Sequence, residues 1–201
     1  MANNITLTGK YRKEAYKMLH RVCQCLDKHS IPYILEAGTL LGIVRENRLL
    51  PWDNDIDITI TNASAKALLK MRWKIWLMGY RTRVRYFKSN IGPFKKNQPR
   101  LLKIQKTKWL FFKAYSLMDI FIKYDIDNTY QWLIAPEQPV LKKCPKHFYD
   151  EVAYIEFNGS IFRVPKDYND YLDYHYGEDW RIPVKEWDYR LDDACEKEEL
   201  S

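Results

Sequence analysis

Residues 36–60 read EAGTLLGIVRENRLLPWDNDIDITI, and the spacing of the acids near the end of this stretch decides how the rest of the chain is read. Asp53, Asp55 and Asp57 are two residues apart, and Ile56, Ile58 and Ile60 fill the alternate places. In a strand, this period of two sends the carboxylates to one face and the isoleucines to the other. Three like charges on one face repel one another unless solvent, protonation or a cation relieves them. A magnesium or manganese ion bound by oxygen ligands relieves them most fully, and a solvated strand end is the alternative. Upstream, Gly38-Thr39 opens Leu40-Leu41-Gly42-Ile43-Val44-Arg45, a short helix whose N-terminal amides and Thr39 hydroxyl would face a phosphate. A glycine needed only for a tight turn is the competing reading there.

Outward from this stretch the periodicities are clear. Before it, Ala15, Met18, Leu19, Val22 and Leu26 recur at three and four residues between Thr8 and His29, the pattern of a helix with one buried face. Pro32 breaks that helix and Tyr33-Ile34-Leu35 reads as a buried first strand. After it, Thr61 and Asn62 cap a helix over Ala63 to Met78, with Leu68, Leu69, Ile75 and Trp76 available to pack on a sheet and Gly79 as its stop. Arg81, Arg83 and Arg85 then alternate with Thr82, Val84 and Tyr86, so a strand would project three guanidinium groups from one face, into solvent or toward phosphates. Ser89 to Pro99 reads as a loop, and Leu101 to Thr107 as extended chain.

In Leu117-Met118-Asp119-Ile120-Phe121-Ile122 a single carboxylate interrupts a buried-strand run, and that charge requires a partner. A nearby Arg or Lys would serve, and so would a metal already held by Asp55 and Asp57. Ala135 to Lys146 reads as a connection with a short helix. Asn158-Gly159 between two apolar runs predicts a hairpin, Pro165 begins a short helix toward Tyr176 with Gly177 as its stop, and the acidic last dozen residues read as a frayed tail.

Composition bounds the class. A chain of 201 residues with 46% hydrophobic and 15% aromatic content is globular and long enough for one well-cored domain. We expect residues 1–183 to form that catalytic domain and 184–201 an acidic tail. No stretch reaches the roughly 20 apolar residues of a membrane span, and the N-terminus lacks an apolar leader, so a cytoplasmic location is expected. The four cysteines form no C-x-x-C pair, and Cys144 with His147 has only an incidental ligand-like spacing. The net charge of +7 hides an asymmetry: between Asp57 and Asp119 there is no acid but fifteen Lys and Arg. Such a block suits phosphate-bearing substrates or a nucleic acid, and no RNP-like or helix-turn-helix signature favours the latter.

GTLLGIVRENRLLPWDNDIDI resembles the signature of the LicD and fukutin-related family of the nucleotidyltransferase-fold superfamily. Met118-Asp119-Ile120-Phe121 resembles the family's later aspartate strand, and Phe162 to Lys166 with Tyr176-Gly177 and Trp180 its C-terminal segment. The resemblance implies an α+β fold with a mixed sheet, flanking helices and a small C-terminal hairpin-plus-helix segment. It puts the glycine turn on Gly38 and Thr39, the metal-binding pair on Asp55 and Asp57 and the third carboxylate on Asp119, with Asp53 a doubtful neighbour. Arg45 falls at a basic position suited to donor phosphates, with Arg81, Arg83 and Arg85 as further candidates. The implied activity is magnesium- or manganese-dependent transfer of phosphocholine or a polyol phosphate such as ribitol phosphate from a CDP-activated donor to a sugar or glycan hydroxyl, releasing CMP. Two alternatives use the same features: transfer of a nucleoside monophosphate from an NTP, and non-catalytic binding of RNA or another polyanion.

Overall fold

The computed structural model describes residues 5–108, 112–134, 139–184 and 186–200. The chain begins with helix α1 (Gly9–Lys28), whose buried stripe is the predicted one: Ala15, Met18, Leu19, Val22 and Leu26. Strand β1 (Ile34–Leu35) leads into α2 (Ala37–Glu46), β2 (Ile56–Thr61) and α3 (Asn62–Leu77). Strands β3 (Tyr80–Tyr86), β4 (Pro99–Lys108) and β5 (Phe112–Ile126) follow, then β6 (Thr129–Ile134) and β7 (Val140–Pro145). A short α4 (His147–Asp150), the hairpin β8 (Val152–Phe157) and β9 (Ser160–Pro165), α5 (Tyr168–Tyr176) and β10 (Lys197–Glu199) complete the chain.

One mixed sheet organises these elements, and β5 is its axis. The first part of β5 lies between β2, parallel to it, and β4, antiparallel; β1 pairs with β2 and β3 with β4. Its last residues turn into a hairpin with β6, which continues through β7 to β10. The predicted α+β class with flanking helices is therefore the observed one.

The two faces of the sheet differ in chemistry. Ile56, Ile58 and Ile60 of β2 and Met118, Ile120 and Ile122 of β5 are buried on one face, each burial favourable by about 1.5–3 kcal/mol. Helices α1 and α3 cover that face: Arg72 of α3 donates to Thr82 Oγ1 at 3.0 Å, and Lys106 pairs with Glu14 of α1 at 2.7 Å. The opposite face carries the aspartates and is covered at one end by the C-terminal segment.

Several expectations need correction. Trp76 does not pack on the sheet; it is half exposed, because the buried stripe of α3 is Ala65, Leu68, Met71 and Ile75. Pro165 ends β9 rather than starting a helix, and α5 begins at Tyr168. The connection expected at Ala135–Lys146 contains strand β7, while residues 135–138 lie outside the described residues. The acidic end is not frayed: Asp193 and Cys195 are buried and β10 pairs with β7. Lys142 and His175 hold Asp193 there, since a buried carboxylate is stable only when paired. The Asn158-Gly159 hairpin is as expected, both residues having positive φ in a two-residue turn.

Candidate active site

Parallel pairing of β2 with β5 sets Asp57 directly beside Asp119. Asp55, two residues before Asp57, projects to the same side, and Asp55, Asp57 and Asp119 each offer a carboxylate oxygen within 4.8 Å of the others. The antiparallel registers extend this row: Asp119 faces Lys103 on β4, and Lys103 faces Arg83 on β3. Lys103 Nζ donates to Asp119 Oδ2 at 2.5 Å, whereas Asp119 Oδ1 is buried with no hydrogen-bond partner among the described residues. Of the two partners expected for the charge on β5, the basic one is Lys103, and it engages one oxygen only.

The carboxylates are short of positive charge. Burial, then Asp119 and Asp53, push Asp55 up to about 7, with Lys103 opposing. Burial, then Asp55, Asp53, Asp119 and Glu36, raise Asp57 well above the usual carboxylate range. Burial also raises Asp119, against Lys103, Arg85 and Arg100. A magnesium ion holds oxygens at about 2.0–2.1 Å, so its ligands sit about 3–4 Å apart, a spacing with which one oxygen from each of these three carboxylates is compatible.

The stretch before β2 is locked from beneath. Thr39 Oγ1 accepts the Asp57 backbone N–H at 2.9 Å, and the Glu36 backbone N–H donates to the Asp57 carbonyl at 3.1 Å. Gly38 and Thr39 form the first turn of α2 rather than a separate turn before it. Ala37 carries a φ of 48°, a strained value for a residue with a side chain, at the entry to that turn. The space above Gly38 belongs to Asp53: a Cβ there would lie 2.2 Å from Asp53 Oδ2. An anion at this helix N-terminus is favoured by the helix dipole, so the position expected to cradle a phosphate holds the Asp53 carboxylate.

Comparison with known proteins is decisive at this point. The family described as LicD/FKTN/FKRP, nucleotidyltransferase domain, matches residues 30–167. The chain belongs to the LicD family. The ribitol-5-phosphate transferase FKTN of Macaca fascicularis is 25% identical over 185 residues, covering 90% of this chain and 36% of that protein. The lipopolysaccharide cholinephosphotransferase LicD of Haemophilus influenzae is 22% identical, covering 83% of this chain and 88% of that protein. The chain thus spans about a third of the length of the FKTN relatives it matches. Among solved structures, that of ANT(2")-Ia in complex with adenylyl-2"-tobramycin superposes with a TM-score of 0.44 at 16% identity, covering 87% of this chain and 81% of that one.

Within this LicD-family domain the other basic candidates separate. Arg85 lies close enough to influence Asp119 electrostatically, whereas Arg83, in register with Lys103 one strand farther out, and Arg81, two residues before it, are exposed. Arg45 is buried and committed: it donates to Glu46 Oε1 at 2.7 and 3.1 Å and to the Trp180 carbonyl at 3.1 Å, tying α2 to the C-terminal segment.

Sequence reading missed Lys103 and Arg100, which sit in unremarkable basic stretches; only the register of β4 beside Asp119 singles them out. It also missed a buried network under the site. Lys123, fully buried on β5, is paired with Glu36, donates to Tyr149 Oη at 2.5 Å and lies over the Trp132 ring. Thr59 donates to Glu36, as does Tyr171 at 3.1 Å. A lysine continuing the apolar run Ile120-Phe121-Ile122 was the available signal.

Proposed function

We propose that this protein transfers a phosphorylated alcohol, phosphocholine or a polyol phosphate such as ribitol phosphate, from a CDP-activated donor to a sugar or glycan hydroxyl, with release of CMP. The observation that carries this reading is the convergence of Asp55, Asp57 and Asp119, flanked by Lys103, Arg85 and Arg100, in a chain whose relatives are named as transferases of ribitol 5-phosphate and phosphocholine.

In this reading Asp55, Asp57 and Asp119 would hold a magnesium or manganese ion, which would supply positive charge to offset that of the donor's phosphates. Lys103 and Arg85 face the same side of the sheet as the carboxylates and hold phosphate oxygens by charge-assisted hydrogen bonds. The acceptor hydroxyl oxygen bonds to phosphorus while the bond from phosphorus to the CMP oxygen breaks in line, a displacement in which positioning and charge stabilisation do most of the catalytic work. The hydroxyl proton leaves to a carboxylate of the cluster. Asp119 Oδ1, not engaged by Lys103, is the oxygen offered either to the ion or to that proton. Thr39 and Glu36 keep Asp57 in register throughout by holding its backbone.

The test is product analysis with CDP-ribitol, CDP-choline and CDP-glycerol, each with magnesium or manganese and an oligosaccharide acceptor. CMP release with phosphorus transfer to the glycan is expected, and Asp57→Asn should abolish it in a folded protein. Pyrophosphate release from an NTP, with no CDP-alcohol consumed, would refute the proposal and assign nucleotidyl transfer.

A further inference from the structure

The outward face of α3 presents lysines and large apolar side chains together. Lys66, Lys70, Trp73 and Leu77 follow one another at four, three and four residues, so they share one side of the helix, with Trp76 at its edge. Trp73 is 57% exposed, Trp76 51% and Leu77 64%. Single exposed apolar residues are ordinary, but three within five residues at one helix end make a contiguous patch. Lys66 and Lys70 are exposed, and beside them runs an open groove of about 540 Å³ with Leu69, Pro99 and Tyr124 in its walls. Lys74 is held within the protein: its ammonium is bonded to His29 Nε2 and lies 5.1 Å from the centroid of the Trp73 ring.

We propose that this face of α3 docks on a bilayer surface rich in acidic headgroups. Trp73, Trp76 and Leu77 enter the boundary between headgroups and acyl chains, and Lys66 and Lys70 hold lipid phosphates. Three observations favour this occupant. Tryptophan has an apolar body and a polar N–H suited to that boundary, and lysines beside it on a helix face are the composition of an interfacial helix. The centre of a protein–protein interface is depleted of lysine, whereas here the lysines line the patch itself. The helix also lies within the stretch between Asp57 and Asp119 that has no acid, so its own segment does not repel an anionic surface. Because α3 covers the isoleucine face of the sheet, docking leaves the carboxylates on the opposite face open.

Flotation of the full chain with phosphatidylcholine vesicles, and with vesicles containing phosphatidylglycerol, tests this. Binding is expected only to the acidic vesicles, falling with added salt. Lys66→Gln with Lys70→Gln should lower partition roughly 25-fold. Trp73→Ser with Trp76→Ser should weaken binding and remove the blue shift of tryptophan emission, and all variants should melt like the parent because these side chains are exposed. Absence of binding to acidic vesicles, or equal binding by all variants, would overturn the proposal. So would concentration-dependent dimerisation or RNA binding that the tryptophan substitutions abolish without any vesicle binding by the parent.

Discussion

Replacing Gly38 by alanine should separate function from folding, and the local geometry gives the size of the effect. The added methyl would meet Asp53 Oδ2 at 2.2 Å, with Asp53 Cγ at 3.4 Å and Leu50 Cδ1 at 3.8 Å. Only the carboxylate oxygen is in hard conflict. To reach an ordinary contact it must retreat by about 1 Å, and as the far end of a rotatable side chain it can do so. Overpacking costs about 1–3 kcal/mol, and replacing glycine in a helix returns up to about 1 kcal/mol. The net loss should be about 1 kcal/mol, or roughly 2–4 °C in Tm for a chain of this length. Gly42 supplies the contrast. A methyl there would lie 2.6 Å from the Arg48 carbonyl oxygen, 2.9 Å from Leu50 Cγ and 3.1 Å from the Leu50 nitrogen, and backbone cannot swing aside. Gly42→Ala should cost about 3 kcal/mol or more. Differential scanning fluorimetry with and without magnesium or manganese and a CDP-alcohol reads both effects, since a ligand at a hundred times its Kd adds about 2.7 kcal/mol. Gly38→Ala should keep most of its melting temperature but lose much of the ligand-induced rise, because the displaced carboxylate of Asp53 acts electrostatically on both Asp55 and Asp57. Adding Asp53→Ala should recover the small Tm loss, as the two changes remove one shared conflict. Equal destabilisation by both glycine variants, or an undiminished ligand shift in Gly38→Ala, would refute the assignment of the space above Gly38 to Asp53 and of Asp53 to the site.

Three further outcomes follow from the electrostatics. Asp57→Asn should raise Tm at neutral pH without metal, because the folded state raises this carboxyl's pKa and so disfavours its charge; the same variant should lose the metal-dependent rise, both read in one melting series. Lys123→Met should destabilise by about 3–5 kcal/mol in urea titration, since Glu36 is left as a buried charge, and Glu36→Gln in the same chain should recover part of that loss. Asp193 is buried, which opposes its charge, yet the His175 hydrogen bond and the Lys142 ammonium hold it below the usual carboxylate range. Its folded pKa lies below its unfolded one, so its stabilisation is full above about pH 4 and declines as pH falls through the folded value. Asp193→Asn should therefore cost most at neutral pH and less in strong acid, as measured by urea unfolding across that range.

Much of the site was legible because it is written in local periodicity. Alternating Asp55 and Asp57 against Ile56, Ile58 and Ile60 announced a two-faced strand, and the lone carboxylate at Asp119 announced a charge needing a partner. The helix α1 and the Asn158-Gly159 hairpin were legible for the same reason, since spacing and turn chemistry act within a few residues. Strands β6 and β7 were not read, although Asp127-Asn128, both at positive φ, is turn chemistry of the same kind. The acidic end misled because net charge describes solvation, whereas Asp193 is held by partners on β7 and α5, and in turn accepts the Cys195 backbone N–H.

The sequence by itself determined that acids and isoleucines would part to opposite faces, that Asp119 would sit in a buried strand, and that the family is LicD, because each depends on residue order. Tertiary structure alone decided that β2 and β5 lie parallel with Asp57 beside Asp119, that Lys103 takes one Asp119 oxygen and leaves the other, and that Asp53 fills the space Gly38 leaves open. Strand register is fixed by packing across the whole sheet, and a one-residue slip would send these carboxylates into the isoleucine core.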